Sequence, residues 1–305
     1  VSVSQVAAGQ DMLPPVRTGI EHQSIYRRAW RQIRLNPLAL LGLLVLALLS
    51  FVSVSAPFLP LQDPNAVQPA ARLLPPLSPL SLAGTDDLGR DMLSRLLWGG
   101  RISLVAGIGT MLVAAVVGVI VGLIAGYFGG WVDNLCMRTT DVIMAFPAVL
   151  LAIAIVAALG PGLVNTMVAV AIVGFPLYAR MVRSVVLSLK EKEYVEAARA
   201  LGASGYRIMV SHLLPNALGP IIVAASLDVG SKIIITASMS FLGLGTQPPT
   251  ADWGSMLATG RNFITVAPHM AALPGLFILL TVLGFNLLGD ALRDALDPRF
   301  VRSVK

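Results

Sequence analysis

An all-α, polytopic membrane protein with six transmembrane helices is the fold class this sequence predicts. Three observations carry the expectation. The 305 residues are 56% hydrophobic and only 12% charged, with a mean hydropathy of +0.79, whereas soluble chains carry about 25% charged residues. The charges are so sparse that long uncharged gaps separate them. Those gaps are continuously apolar, whereas the strands of a membrane barrel alternate over about ten residues. Helices also close their own backbone hydrogen bonds, as hydrocarbon demands. Disorder is excluded, since it needs low hydrophobicity and high charge. The single Cys136 allows no internal disulfide and no cysteine-built metal site. The net charge of +6 reads as topology-setting Lys and Arg rather than a nucleic-acid surface.

The first span, 38–58, lies in the gap between Arg34 and Asp63, and is too far from the start of the chain for a cleaved signal peptide. The second lies between Arg101 and Asp133. The gap from Asp141 to Arg180 is 38 residues long; as one helix it would reach about 57 Å, nearly twice a hydrocarbon core. Gly160-Pro161-Gly162 should turn the chain there, which gives spans at Val142 to Leu159 and Leu163 to Ala179. A fifth span covers about Ala217 to Leu244 and a sixth about Met270 to Leu288. Of the 22 Lys and Arg residues, only Arg72, Arg90, Arg95, Arg101 and Arg261 would lie outside if the N-terminus is inside, and Lys232 falls within a span. That asymmetry places both termini in the cytoplasm. The organisation is then a cytoplasmic tail 1–37, the first span, an extracytoplasmic loop 59–100, a five-helix core 101–289 and a cytoplasmic tail 290–305.

Within the outer loop, Asp63 to Leu80 is Pro-rich and reads as extended. Thr85 to Trp98 reads as a short helix with Thr85 as N-cap, i,i+4 pairs Asp86–Arg90 and Asp91–Arg95, and Trp98 as an interfacial anchor. It either lies on the membrane surface or is a solvated packing helix. The inside loop 180–216 reads as helix, break, helix. Gly202 is placed to end a helix over Lys192 to Leu201, and a second runs from Ser204 or Gly205 to a stop before Pro215.

The string Glu196-Ala197-Ala198, with Gly202 beyond it and then Leu214-Pro215, resembles the EAA loop of binding-protein-dependent ABC importer permeases. The spacing EAA-x3-G-x9-I-x-LP is matched throughout, with His212 in place of the Ile. GTDDLGRDMLSRLLWGGR (Gly84 to Arg101), DVIMAFP (Asp141 to Pro147), SFLGLGTQPPTADWGSML (Ser240 to Leu257) and FNLLGDALRDALDPR (Phe285 to Arg299) resemble the C-type permease subunit of the dipeptide/oligopeptide/nickel group. Lys232 is a local departure from that pattern. The resemblance implies a type I importer permease fold in the bacterial inner membrane. It implies half of a translocation pathway completed by a second, homologous permease. One or two cytoplasmic ATPase subunits, which would bind ATP and Mg, and an extracytoplasmic binding protein would complete the complex. Glu196, Ala197, Ala198, Arg199 and Gly202 would form the ATPase-coupling contact, where small residues permit close approach and the charged ones offer charge-assisted hydrogen bonds.

The chain's own residues agree with that division of labour. A phosphate-binding loop needs Gly-Lys-Ser or Gly-Lys-Thr, and none of Lys190, Lys192, Lys232 and Lys305 is followed by Ser or Thr. Neither a Gly-x-Ser-x-Gly elbow nor a HExxH pair is present. Asp228 and Lys232 lie i,i+4 inside the fifth span, where each would cost at least about 2.5 kcal/mol facing lipid. They either line the pore and meet a zwitterionic substrate or form a mutually neutralised structural pair. Pro147, Pro176 and Pro274 lie within spans and are candidate kinks. The alternative function class is a secondary transporter or channel, which calls for more ionisable groups at mid-membrane.

Overall fold

The protein is described here by a computed structural model covering residue 34 and residues 36–296. The expected tails lie outside these residues, apart from Arg34, residues 36–37, and residues 290–296, which continue the last helix. Asn36 caps α1 (Pro37–Ser55): its side chain accepts from the N–H groups of Leu38 and Ala39, and Pro37 sits where its missing N–H is harmless. Then follow α2 (Met92–Phe128), α3 (Gly130–Met144), α4 (Ala148–Leu159), α5 (Leu163–Leu189) and α6 (Glu193–Ala200). One helical turn, Gly205–Arg207, and a π-helical stretch, Ile208–Leu213, lead without a gap into α7 (Leu214–Phe241). The chain closes with α8 (Trp253–Arg261) and α9 (His269–Leu296). Among the described residues, five helical rods are long and apolar enough to cross a membrane, and the α3–α4 pair would make a sixth.

Three boundaries differ from the sequence expectation. The outer helix does not start at Thr85. Gly89 adopts φ +76°, and a Cβ there would collide with the Gln68 carbonyl oxygen, so the chain turns instead of winding. Asp91 is the cap, its carboxylate accepting from the Ser94 N–H at 2.7 Å, and the helix runs straight on into the second span as α2. The Asp86–Arg90 pair forms at 2.6 Å, across that turn. Arg95 turns to Asp86 at 3.5 Å rather than to Asp91.

The third span is broken. α3 and α4 meet at 93° across Ala145–Pro147, where Pro147 disfavours helical geometry at the preceding residue. The 12 residues of α4 reach only about 18 Å, short of a hydrocarbon core. The inside loop is also shorter than 180–216. α5 continues to Leu189, and the second loop helix does not stop at Pro215, because the π-helical stretch Ile208–Leu213 just before it carries the helix through. Gly205–Phe241 is therefore one 37-residue rod.

Packing centres on α2 and α5. Hydrocarbon offers helices no solvophobic drive to associate, so close approach between small residues has to supply it. Gly118, Gly122 and Gly126 form a stripe on α2 with one residue per turn. An added Cβ would meet the Tyr178 Cβ at 2.5 Å, the Ala179 carbonyl oxygen at 2.5 Å and the Val186 Cγ1 at 2.8 Å, respectively. Trp253 on α8 is fully buried. Its indole N–H donates to the Leu96 carbonyl at 2.9 Å, its backbone N–H donates to the Ser103 hydroxyl at 3.1 Å, and its ring meets Phe277 edge-on. It thereby ties α8 to α2 and α9.

Gly122→Leu should lower the midpoint of thermal unfolding in detergent, with overpacking costing about 1–3 kcal/mol. Gly219→Ala, where an added Cβ meets nothing within 4 Å, should leave the midpoint unchanged or raise it.

Candidate functional site

Two places bring the sequence-expected residues together. The first is α6, a short helix at the end of the bundle where α5 ends and α7 begins. Its acidic residues Glu193 and Glu196 lie in the first turn and Arg199 in the last, matching the helix dipole. Gly202 has φ +81° and closes the helix as expected. Its N–H donates to the Arg199 carbonyl and the Ala203 N–H to the Ala198 carbonyl, both at 3.0 Å, the paired bonds of a Schellman motif. One residue seats the helix. Val195 is fully buried among Leu123, Val182, Val186, Ile208 and Leu213, side chains of α2, α5 and the π-helical stretch.

The rest of α6 faces outward. Glu196, Ala197, Arg199 and Gly202 are exposed and Ala198 is half-buried. Among the described residues no ion pair engages Glu196 or Arg199. Two apolar neighbours escaped the sequence reading: Leu201 is 88% and Tyr206 73% exposed. Their signal was present as large hydrophobic residues in a polar loop. Together these side chains make a knob with an apolar rim, small residues along its ridge and unpaired charges on its face.

The knob's mounting is braced by charge. Arg183 on α5 grips both carboxylate oxygens of Asp133 on α3, at 2.5 and 2.6 Å, the bidentate geometry that guanidinium favours. Arg180 reaches Asp141 at 2.5 Å. The Lys190 ammonium donates to the Gly126 carbonyl at 3.1 Å, fastening the end of α5 to α2. Arg138 stays exposed.

The second place is inside the bundle. The Lys232 ammonium lies 3.2 Å from one Asp228 oxygen, and the Tyr178 hydroxyl donates to the other at 2.9 Å. Both charged side chains are buried, at 5% and 8% exposure. The mutually neutralised pair is therefore realised, with a tyrosine from α5 added, and neither charge faces lipid. Lys232 also lines a chamber of about 160 Å³ between α4, α5 and α7. Gly174 faces it so closely that a Cβ there would stand 2.6 Å from Nζ. Among the described residues no group of His, Cys, Asp or Glu is arranged to hold a metal ion.

Comparison with known proteins adds a frame to this geometry. Residues 118–302 match the family described as binding-protein-dependent transport system inner membrane component, and residues 24–76 match the N-terminal TM domain of oligopeptide transport permease C. The chain is 46% identical over 286 residues to the dipeptide transport system permease protein DppC of Alkalihalophilus pseudofirmus, covering 94% of each chain. It is 46% identical over 274 residues to the glutathione transport system permease protein GsiD of Pectobacterium atrosepticum, covering 90% of this chain and 91% of that one. It is 43% identical over 264 residues to the probable D,D-dipeptide transport system permease protein DdpC of Escherichia coli, covering 87% and 88%. Among solved structures, an inward-facing MetNI methionine ABC transporter superposes with a TM-score of 0.54 at 20% identity, covering 67% of this chain and 97% of that one; this likeness shows the fold.

Removing one member of the buried pair should cost more than removing both. Asp228→Leu should destabilise the protein by about 3–5 kcal/mol, and Asp228→Leu with Lys232→Met by much less, read as thermal midpoints in detergent.

Proposed function

This chain belongs to the inner-membrane components of binding-protein-dependent transport systems, as an OppC-type permease of an ABC importer, and from that membership we propose how it works. The chain forms half of a transmembrane path for small peptides, the other half being a second, homologous permease. An extracytoplasmic binding protein delivers the peptide. Partner ATPase subunits bind ATP and Mg, and the α6 knob passes their motion to the bundle. Relatives named for dipeptides, D,D-dipeptides and glutathione support a substrate of that size and class.

The single observation that carries the coupling role is the construction of α6. A helix held by one buried valine and closed by a Schellman turn can be pushed without unwinding. Its exposed face offers Glu196 and Arg199 for charge-assisted hydrogen bonds, and Ala197, Ala198 and Gly202 for close backbone approach. Leu201 and Tyr206 add apolar anchors of the kind that dominate interface energies. The Lys and Arg bias sets this end, and both termini, in the cytoplasm, where the ATPases act. The chain is then arranged as the tail 1–37, the first span, the outer segment 59–100, the core 101–289 and the tail 290–305.

Inward and outward access alternate by rocking of packed helices. α5 and the Gly205–Phe241 rod reach the knob across the short connectors 190–192 and 201–204, so its displacement passes to the bundle over a few residues of chain. Asp228 and Lys232 lie on that rod and border the path.

Glu196→Arg and Gly202→Trp should each abolish ATP-dependent uptake and loosen ATPase retention during co-purification, while membrane insertion stays normal. Losing charged hydrogen bonds worth about 1.5–3 kcal/mol corresponds to at least tenfold weaker docking. A second permease and an ATPase should co-elute with the wild-type chain. Unchanged ATPase retention and uptake in both variants would overturn the coupling role.

A further inference from the structure

The 160 Å³ chamber has an asymmetric electrostatic lining. Lys232 borders it and Asp228 does not. The remaining walls are apolar, supplied by side chains such as Met144, Ala148, Val173, Leu177 and Ile235. An ammonium has three N–H donors. Among the described residues its one ion-pair partner is Asp228, whose other oxygen is already held by Tyr178. The lysine therefore presents unspent donors to the chamber, while its counter-charge is turned toward α5.

A second positive feature meets the same space. α4 begins at the 93° bend, and its cap is Pro147, whose side chain accepts nothing. The first N–H groups of α4 are thus uncapped, and Ala148, the first residue of the helix, lines the chamber. A broken span with an uncapped half-helix start gives a partial positive charge at that point. An apolar enclosure strengthens both contributions by lowering the local dielectric. The mouth is open at Met144 and Leu177, which are 49% and 55% exposed. The volume matches about five waters, enough for the carboxylate-bearing end of a peptide and too little for the whole of one.

We propose that this chamber receives the free C-terminal carboxylate of the transported peptide, with the Lys232 ammonium and the uncapped start of α4 as its partners, so that the permease itself selects for free acids. The proposal rests on the importer reading above. Gly174 is the residue that leaves room for the ammonium at the chamber wall. Asp228 and Tyr178 are positioning residues: the carboxylate holds the ammonium and the phenol holds the carboxylate.

The test uses the complete transporter with its binding protein in proteoliposomes, comparing ATP-driven uptake of alanyl-alanine with that of its C-terminal amide. The readout is the acid-to-amide ratio. The same binding protein serves every variant, so a change in the ratio belongs to the permease. Replacing a charged partner should reduce the ratio by about tenfold or more in the doubly neutral variant Asp228→Asn/Lys232→Gln. Lys232→Arg, which keeps a cation, should retain most of the preference. Gly174→Ala keeps both charges and crowds the ammonium, so it should lower the ratio even if the double variant fails to assemble. An unchanged ratio in Gly174→Ala and in the assembled double variant, or no acid preference in the wild type, would overturn the carboxylate site alone. Absence of ATP-dependent uptake of both peptides by the wild type would overturn the importer reading together with it.

Discussion

The seam between α2 and α5 is the contact on which the rest of the molecule depends. Three glycines in successive turns remove the side chains that would hold these helices apart, and in a bilayer such close packing replaces the missing solvophobic drive. α5 then serves every other region from its fixed position. Tyr178 reaches the buried carboxylate on α7, Val182 and Val186 close the pocket that seats Val195, and Arg180 and Arg183 hold α3.

A second constraint is that charge within the bundle must be compensated. Asp228 has an ammonium and a phenol. Asp133 has a guanidinium across two helices. At the opposite end, Asp86 accepts from the backbone N–H groups of Leu88 and Arg90 and from the Arg90 guanidinium, and it pairs with Arg95 at 3.5 Å. The unpaired charges on α6 stand out against that background. The carboxylates of Asp86, Asp133 and Asp228 are held by neighbours within the fold, whereas Glu196 on α6 is exposed.

Much of this was legible in the sequence because the signals were local. Uncharged gaps mark the spans, and Gly160-Pro161-Gly162 separates α4 from α5. Gly202 ends α6, and the i,i+4 spacing of Asp228 and Lys232 implies their pairing. The misread boundaries depended on distant partners. Nothing within Thr85 to Trp98 shows that Gly89 must turn, since the obstacle is the Gln68 carbonyl. Pro215 reads as a stop until the π-helical stretch before it is seen to carry the helix through. Pro147 reads as a candidate kink, yet nothing local to it gives the 93° size of the bend. That Lys232 borders a chamber while Asp228 does not arises only when three helices enclose a common space.

The rod from Gly205 to Phe241 spans about 55 Å at 1.5 Å per residue. The Tyr178–Asp228 bond lies along it and divides it into arms of about 35 and 20 Å. Such a beam, pivoting there, sweeps its long end through nearly twice the arc of its short end and in the opposite sense. The proportions are those of a reducing gear, with unequal arms on either side of the fixed point.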